Sequence, residues 1–106
     1  MIKGLFVAIA FALGLATLLP GSAGAVGLGR TCGGFAGITC NAGLYCDFPA
    51  GQCGWFDRTG VCRRKPTICP RIYMPVCGCN QHTYANNCER QAAGVSLLHQ
   101  GRCWFQ

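Results

Sequence analysis

Acidic side chains are nearly missing from this chain. Asp47, Asp57 and Glu89 are its three carboxylates, against nine Lys or Arg, and the formal net charge is +6. Serine is as scarce, since Ser96 is the only one beyond residue 22. A hydrolytic site needs a nucleophile, a base and a group that orients the base, so there is thin material for an enzyme. Outside Arg63-Arg64-Lys65 the basic residues are scattered, and no basic amphipathic helix can be traced. That argues against nucleic acid or an anionic membrane as the partner.

Residues 1–25 read as an export signal. Lys3 supplies the positive start, Leu5 to Leu19 is almost continuously apolar, and Ala23-Gly24-Ala25 has the small-x-small form of a cleavage site. The apolar run is shorter than the roughly 20 residues needed to span a bilayer, and Pro20-Gly21 ends it. No cysteine lies near the cleavage site, which argues against a lipid-anchored lipoprotein. The expected product begins at Val26 and is secreted, extracellular or, in a bacterium, periplasmic, with no membrane segment left.

Cysteine is what the chain has in abundance. All ten follow Thr31. An exported chain of this size buries little core, so ten cysteines read as a disulfide framework, each bridge contributing roughly 2–4 kcal/mol. With the sulfur oxidised, His82 and His99 have no thiolate partners for zinc, and no metal or cofactor is expected.

Val26 to Thr31 shows no periodicity and reads as a flexible leader. A Cys/Gly-rich module spans 32–61, with glycines at 33, 34, 37, 43, 51 and 54 and few bulky residues. It reads as loops and turns with at most two short strands. Cys32-Gly-Gly with Cys40-Asn-Ala-Gly-Leu-Tyr-Cys46 and Thr59-Gly-Val-Cys62 resembles the second half of the cysteine-rich amino-terminal domain of insulin-like-growth-factor-binding proteins. The first half of that domain has no counterpart here, so hormone binding is not carried over. Tyr45, Phe48, Trp55 and Phe56 form either a small core or an exposed patch. Residues 54–67 read as a connector whose basic run, Arg63 to Lys65, is a solvated linker.

In Cys69-Pro-Arg-Ile-Tyr-Met-Pro-Val-Cys77 the two cysteines are eight positions apart. If both are oxidised, the segment between them is a pinned loop. Pro70 restricts the backbone there and presents Arg71 on an extended tip. A restrained, exposed arginine suits the cleft of a trypsin-like protease.

This loop with Gly78, then Thr83-Tyr-Ala-Asn-Asn-Cys88 and Gly101-Arg-Cys103, resembles a Kazal-type serine protease inhibitor domain over residues 62–103. The fold implied is small and disulfide-rich: a Kazal-like α+β module with one short helix and a small antiparallel sheet, followed by a tail at 104–106. Val76 to Cys79 and His82 to Tyr84 are expected to pair around Asn80-Gln81, and Gln81 stands where a positive φ is needed. Asn86 caps a helix with Glu89 completing the box, Gly94 stops it, and Val95 to Leu98 returns as a strand.

The resemblance makes Arg71 the primary specificity residue and Arg71–Ile72 the reactive bond. Pro70, Arg71, Ile72 and Tyr73 would meet the protease. Pro75, with Tyr73, would buttress the loop, and Asn86 would hold the carbonyls flanking the reactive bond. The partner implied is a trypsin-like, Arg-specific serine protease, met by a monomer that blocks catalysis. Gln91 stands where the family has a cysteine, and Cys79 is extra. The pairing inferred is Cys62–Cys79, Cys69–Cys88 and Cys77–Cys103, with Cys32–Cys46 and Cys40–Cys53. If the first module keeps Cys62, Cys53 becomes the partner of Cys79. The alternative function is an extracellular binding or structural module without protease inhibition.

Overall fold

A computed structural model describes residues 24–105. The expected export signal falls outside the described residues except for Gly24 and Ala25. Among those described, no helix is long and apolar enough to cross a membrane. The described residues build two three-stranded antiparallel sheets, one short α-helix and five disulfides, with no free cysteine among them.

The first sheet is assembled from β1 (Thr31–Gly33), β2 (Leu44–Asp47) and β3 (Thr59–Arg64), in the order β1-β3-β2. The module thus has three strands rather than two, and the third runs through the stretch read as a connector. Its residues alternate: Gly60 and Cys62 are buried while Thr59 and Arg63 are exposed. Gly60 lets β2 approach, because a Cβ there would lie 2.7 Å from the Asp47 carbonyl and 3.0 Å from the Cys46 sulfur. Pairing on both edges makes β3 the centre of the sheet, which a basic ending had disguised. The basic run is therefore strand, and only Lys65 lies beyond it.

Residues 26–31 are not a loose leader either. Val26 donates to the Thr39 carbonyl and accepts from Asn41, Gly29 donates to Cys62, and Thr31 already belongs to β1. Tyr45 is buried, Phe48 covers Gly33 and Gly54, and Trp55 and Phe56 lie half and almost wholly exposed. Both readings of the aromatic group are thus partly true.

The second sheet has the order β5-β4-β6, with β4 at Val76–Gly78, β5 at Thr83–Tyr84 and β6 at Leu97–Gln100. Helix α1 spans Asn87–Ala92 behind its cap Asn86. Gly94, at φ +74, closes it: Gly94 donates to Gln91 and Val95 to Arg90, the paired bonds of a Schellman turn. Val95 is occupied in that turn, so β6 begins two residues later than the pattern suggested.

The hairpin turn places Gln81 at φ +67. An L-residue there costs roughly 1–2 kcal/mol, and glycine's extra freedom when unfolded returns roughly 0.5–1 kcal/mol of that. Gln81→Gly is expected to stabilise the oxidised protein by about 0.5–1 kcal/mol, seen as a Tm higher by roughly 2–8 °C.

Sulfur joins the two sheets in a pattern that corrects the first pairing and matches the second. Cys40 bonds Cys62, not Cys53, and Cys79 bonds Cys53, not Cys62. The reason is β3: it carries Cys62 inside the first sheet, opposite Cys46, and leaves Cys53 to reach across. Cys32–Cys46, Cys69–Cys88 and Cys77–Cys103 complete the set. The sulfurs of Cys32, Cys40 and Cys62 lie within 4.8 Å of one another, but each is held in a disulfide, and metals take the thiolate.

The junction between the sheets is polar and closely bonded. Phe48 N–H donates to Ser96 Oγ at 2.9 Å, and Ser96 Oγ donates to the Cys46 carbonyl at 3.2 Å. Gly51 N–H donates to the Leu97 carbonyl at 2.9 Å. Tyr45 is buried beside this junction, and its hydroxyl has no hydrogen-bond partner among the described residues. Burial, and then the charge of Asp47, push its pKa above the ordinary 10.0. Below pH 10 the phenol is neutral folded and unfolded, so its contribution is complete. Above that, the unfolded chain ionises first and stability falls. Denaturant titrations between pH 8 and 11 are expected to show that loss, and Tyr45→Phe to flatten it.

Candidate functional site

Residues 70–75 form a loop without regular secondary structure, anchored on both sides. Cys69 is bonded to Cys88 in α1, and Cys77, in β4, to Cys103. Two backbone bonds extend the sheet towards the loop: Met74 N–H donates to Ala85 at 2.8 Å, and Gly101 N–H to Pro75 at 2.9 Å. The loop's side chains face solvent, with Ile72 51% and Tyr73 65% exposed. Tyr73 is therefore presented outwards rather than packed as a buttress. Arg71 is exposed and, among the described residues, has neither a hydrogen bond nor an ion pair, so its guanidinium is available to a partner.

The strut beneath the loop is Asn86, 4% exposed. Its position follows from local sequence: Asn is a favoured cap, and its Oδ1 accepts from Glu89 N–H at 2.9 Å, starting α1. That bond orients the amide so that Nδ2 donates to the Pro70 carbonyl at 3.1 Å and the Ile72 carbonyl at 2.9 Å. One side chain thus holds the carbonyls on either side of Arg71. Around it lies an apolar hollow of about 260 Å³, lined by Pro70, Ile72, Met74, Val76, Asn86 and Gln100 among others. The loop bridges this space, so its shape depends on the two sulfur anchors, the two backbone bonds and Asn86.

The structure brings Pro70, Arg71, Ile72 and Asn86 together at one edge of the molecule, with Pro75 at the loop's sheet end. Trp104 of the tail stacks on His99, with ring centroids 4.2 Å apart, although Trp104 and Phe105 stay exposed. Sequence reasoning missed Arg90, which is 4% exposed and extends towards the other module. Its Nε donates to Asn87 Oδ1 at 2.9 Å, its Nη1 donates to the Val95 carbonyl, and Nη1 lies 3.7 Å from Asp47 Oδ1. Scarcity was the available signal: with three carboxylates in the chain, each is a candidate partner for a buried cation.

Comparison with known proteins bears on residues 62–103, which match the Kazal-type serine protease inhibitor domain. The serine protease inhibitor dipetalogastin of Dipetalogaster maximus is 44% identical over 46 residues, 38% of this chain and 13% of that protein. A Kazal-type trypsin inhibitor of Aedes aegypti is 62% identical over 29 residues, 27% of this chain and 26% of its own length. The chain therefore spans about an eighth of the first and about a quarter of the second. Turripeptide OL11-like of Lophiotoma albina is 37% identical over 43 residues, covering 35% of this chain and 96% of that peptide. That match extends over nearly all of the peptide, and the domain match over residues 62–103 includes both loop cysteines, the helix and the closing cysteine, so the chain belongs to the family of Kazal-type serine protease inhibitor domains.

Proposed function

We propose that the protein is a secreted inhibitor of trypsin-like serine proteases, which it engages as a monomer, as a substrate would, through Pro70, Arg71, Ile72 and Tyr73. The observation that carries this reading is the pair of Asn86 bonds to the carbonyls of Pro70 and Ile72. They hold in place the peptide units on either side of the Arg71–Ile72 bond, while the Arg71 side chain stays free.

Arg71 enters a pocket with a carboxylate at its base, where a guanidinium pairs in bidentate fashion. The protease nucleophile attacks the Arg71 carbonyl and the bond to Ile72 opens. The new amine on Ile72 cannot diffuse away, because Asn86 holds the Ile72 carbonyl and Ala85 the Met74 N–H. It remains beside the acyl carbon and reforms the bond faster than water completes hydrolysis. A loop ordered before contact also loses little entropy on binding, which favours high affinity from a small surface.

The test is inhibition of trypsin by the oxidised chain 26–106. Tight, slowly reversed inhibition supports the reading. A correctly oxidised protein that inhibits neither trypsin, thrombin nor subtilisin defeats it, and the first module becomes the place to seek a partner. Phe35 and Phe56 there are 93% and 89% exposed.

A further inference from the structure

We propose that Asp47, in the first module, is a positioning residue for the reactive loop carried by the second. The inference rests on the inhibitor reading above and assigns the first module a part in that action.

The argument begins at Arg90. A guanidinium only 4% exposed needs a counter-charge, and removing the carboxylate from such a pair leaves an uncompensated buried charge. Asp47 Oδ1, at 3.7 Å, is the carboxylate oxygen that faces it. The second cation on Asp47 is different in kind. Arg63 Nε lies 3.5 Å from Oδ2, and although Asp47 and both arginines line one cleft of about 480 Å³, the Arg63 side chain is 58% exposed there while that of Arg90 is 4% exposed. Water can serve Arg63, whereas Arg90 depends on Asp47.

Arg90 in turn grips both ends of α1. Its Nε bonds Asn87, the residue directly after Asn86, and its Nη1 bonds Val95 at the helix's closing turn. Six residues are far below the roughly 12–15 at which a helix becomes even marginal by itself. The orientation of Asn86 is thus set from Asp47 through Arg90 and Asn87. Asp47 is itself located from the other side. Ser96 of the second module bonds the Cys46 carbonyl and the Phe48 N–H, the two backbone groups that flank it. The contact is reciprocal and closed.

The experiment compares the full oxidised chain with Asp47→Asn, Asp47→Glu, Arg63→Ala and Asn87→Ala. The first readout is the rate at which catalytic amounts of trypsin cleave Arg71–Ile72, followed by mass spectrometry beside the inhibition constant. Asp47→Asn is expected to be cleaved roughly tenfold faster, since small misplacements of reacting groups cost rate steeply. Asp47→Glu should recover part of the loss, and Arg63→Ala should behave as the parent. Parent-rate cleavage of an Asp47→Asn protein with all five native disulfides overturns the proposal, as does equal damage from Arg63→Ala. Should Asp47→Asn not oxidise correctly, Asn87→Ala decides, because it leaves the Asp47–Arg90 pair intact. Faster cleavage supports the proposal and parent-rate cleavage overturns it. The second readout needs no protease: hydrogen exchange of the Asn86 side-chain amide, by NMR, should accelerate in Asp47→Asn. A parent that does not inhibit trypsin defeats the inhibitor reading, while unchanged Asn86 exchange defeats the positioning itself.

Discussion

Arg71→Glu is expected to abolish inhibition of trypsin while leaving the fold intact. In the proposed complex the Arg71 side chain would be enclosed, paired with a carboxylate, and at the centre of the contact. Arginine anchors of this kind are worth about 4–8 kcal/mol, three to six powers of ten in the inhibition constant. Glutamate does more than delete the pair, since it sets two carboxylates against each other in a site without water. Arg71→Ala removes the pair alone and should lose less. Stability should barely change, because Arg71 is exposed and, among the described residues, bonded to nothing. Exposed substitutions of this sort stay within about 0.5 kcal/mol. The check is a pair of measurements on each variant, trypsin inhibition and thermal unfolding with disulfides intact. Inhibition by Arg71→Glu within tenfold of the parent would place the reactive bond elsewhere.

Much of the loop was legible in the sequence because its determinants are local. The cap at Asn86, the stop at Gly94 and the positive φ at Gln81 each depend on a few neighbouring residues, and each formed where the residues indicated. The helix cap and the loop support are one side chain, so placing the first also placed the second. The first sheet was harder to read. β3 carries Gly60, Cys62 and two arginines, a composition that suggests a connector, and only partners 14 to 30 residues away in sequence, in β1 and β2, make it a strand. Misreading β3 also exchanged the partners of Cys40 and Cys79. The junction was not legible at all. Asp47 and Arg90 are 43 positions apart, and nothing in either neighbourhood announces that a helix arginine turns inwards. Ser96, the only serine beyond residue 22, offers a hydrolytic site thin material. It is instead the hydroxyl that bonds the two modules together.

Asn86→Ala is the second large effect, and it separates rigidity from contact. The substitution removes the cap bond to Glu89, worth about 1 kcal/mol, and the two bonds to the loop, each about 1 kcal/mol. A loss of roughly 2–4 kcal/mol in stability is expected from the three together. The greater change is in kinetics. With Pro70 and Ile72 released above a hollow, the amine formed on opening Arg71–Ile72 is free to move, and hydrolysis overtakes religation. The protein should turn from an inhibitor into a substrate, with an inhibition constant weaker by roughly a hundredfold. Asn86→Asp divides the two roles. A carboxylate keeps the acceptor for Glu89 N–H and suits a helix amino terminus, so the helix signal in circular dichroism should persist. It has no N–H to give, and it sets a negative oxygen against the carbonyls of Pro70 and Ile72. Asn86→Asp should therefore be cleaved at least as fast as Asn86→Ala, with the fold better preserved. If it inhibits like the parent instead, the helix cap is all that Asn86 supplies, and the two sulfur anchors hold the loop without it.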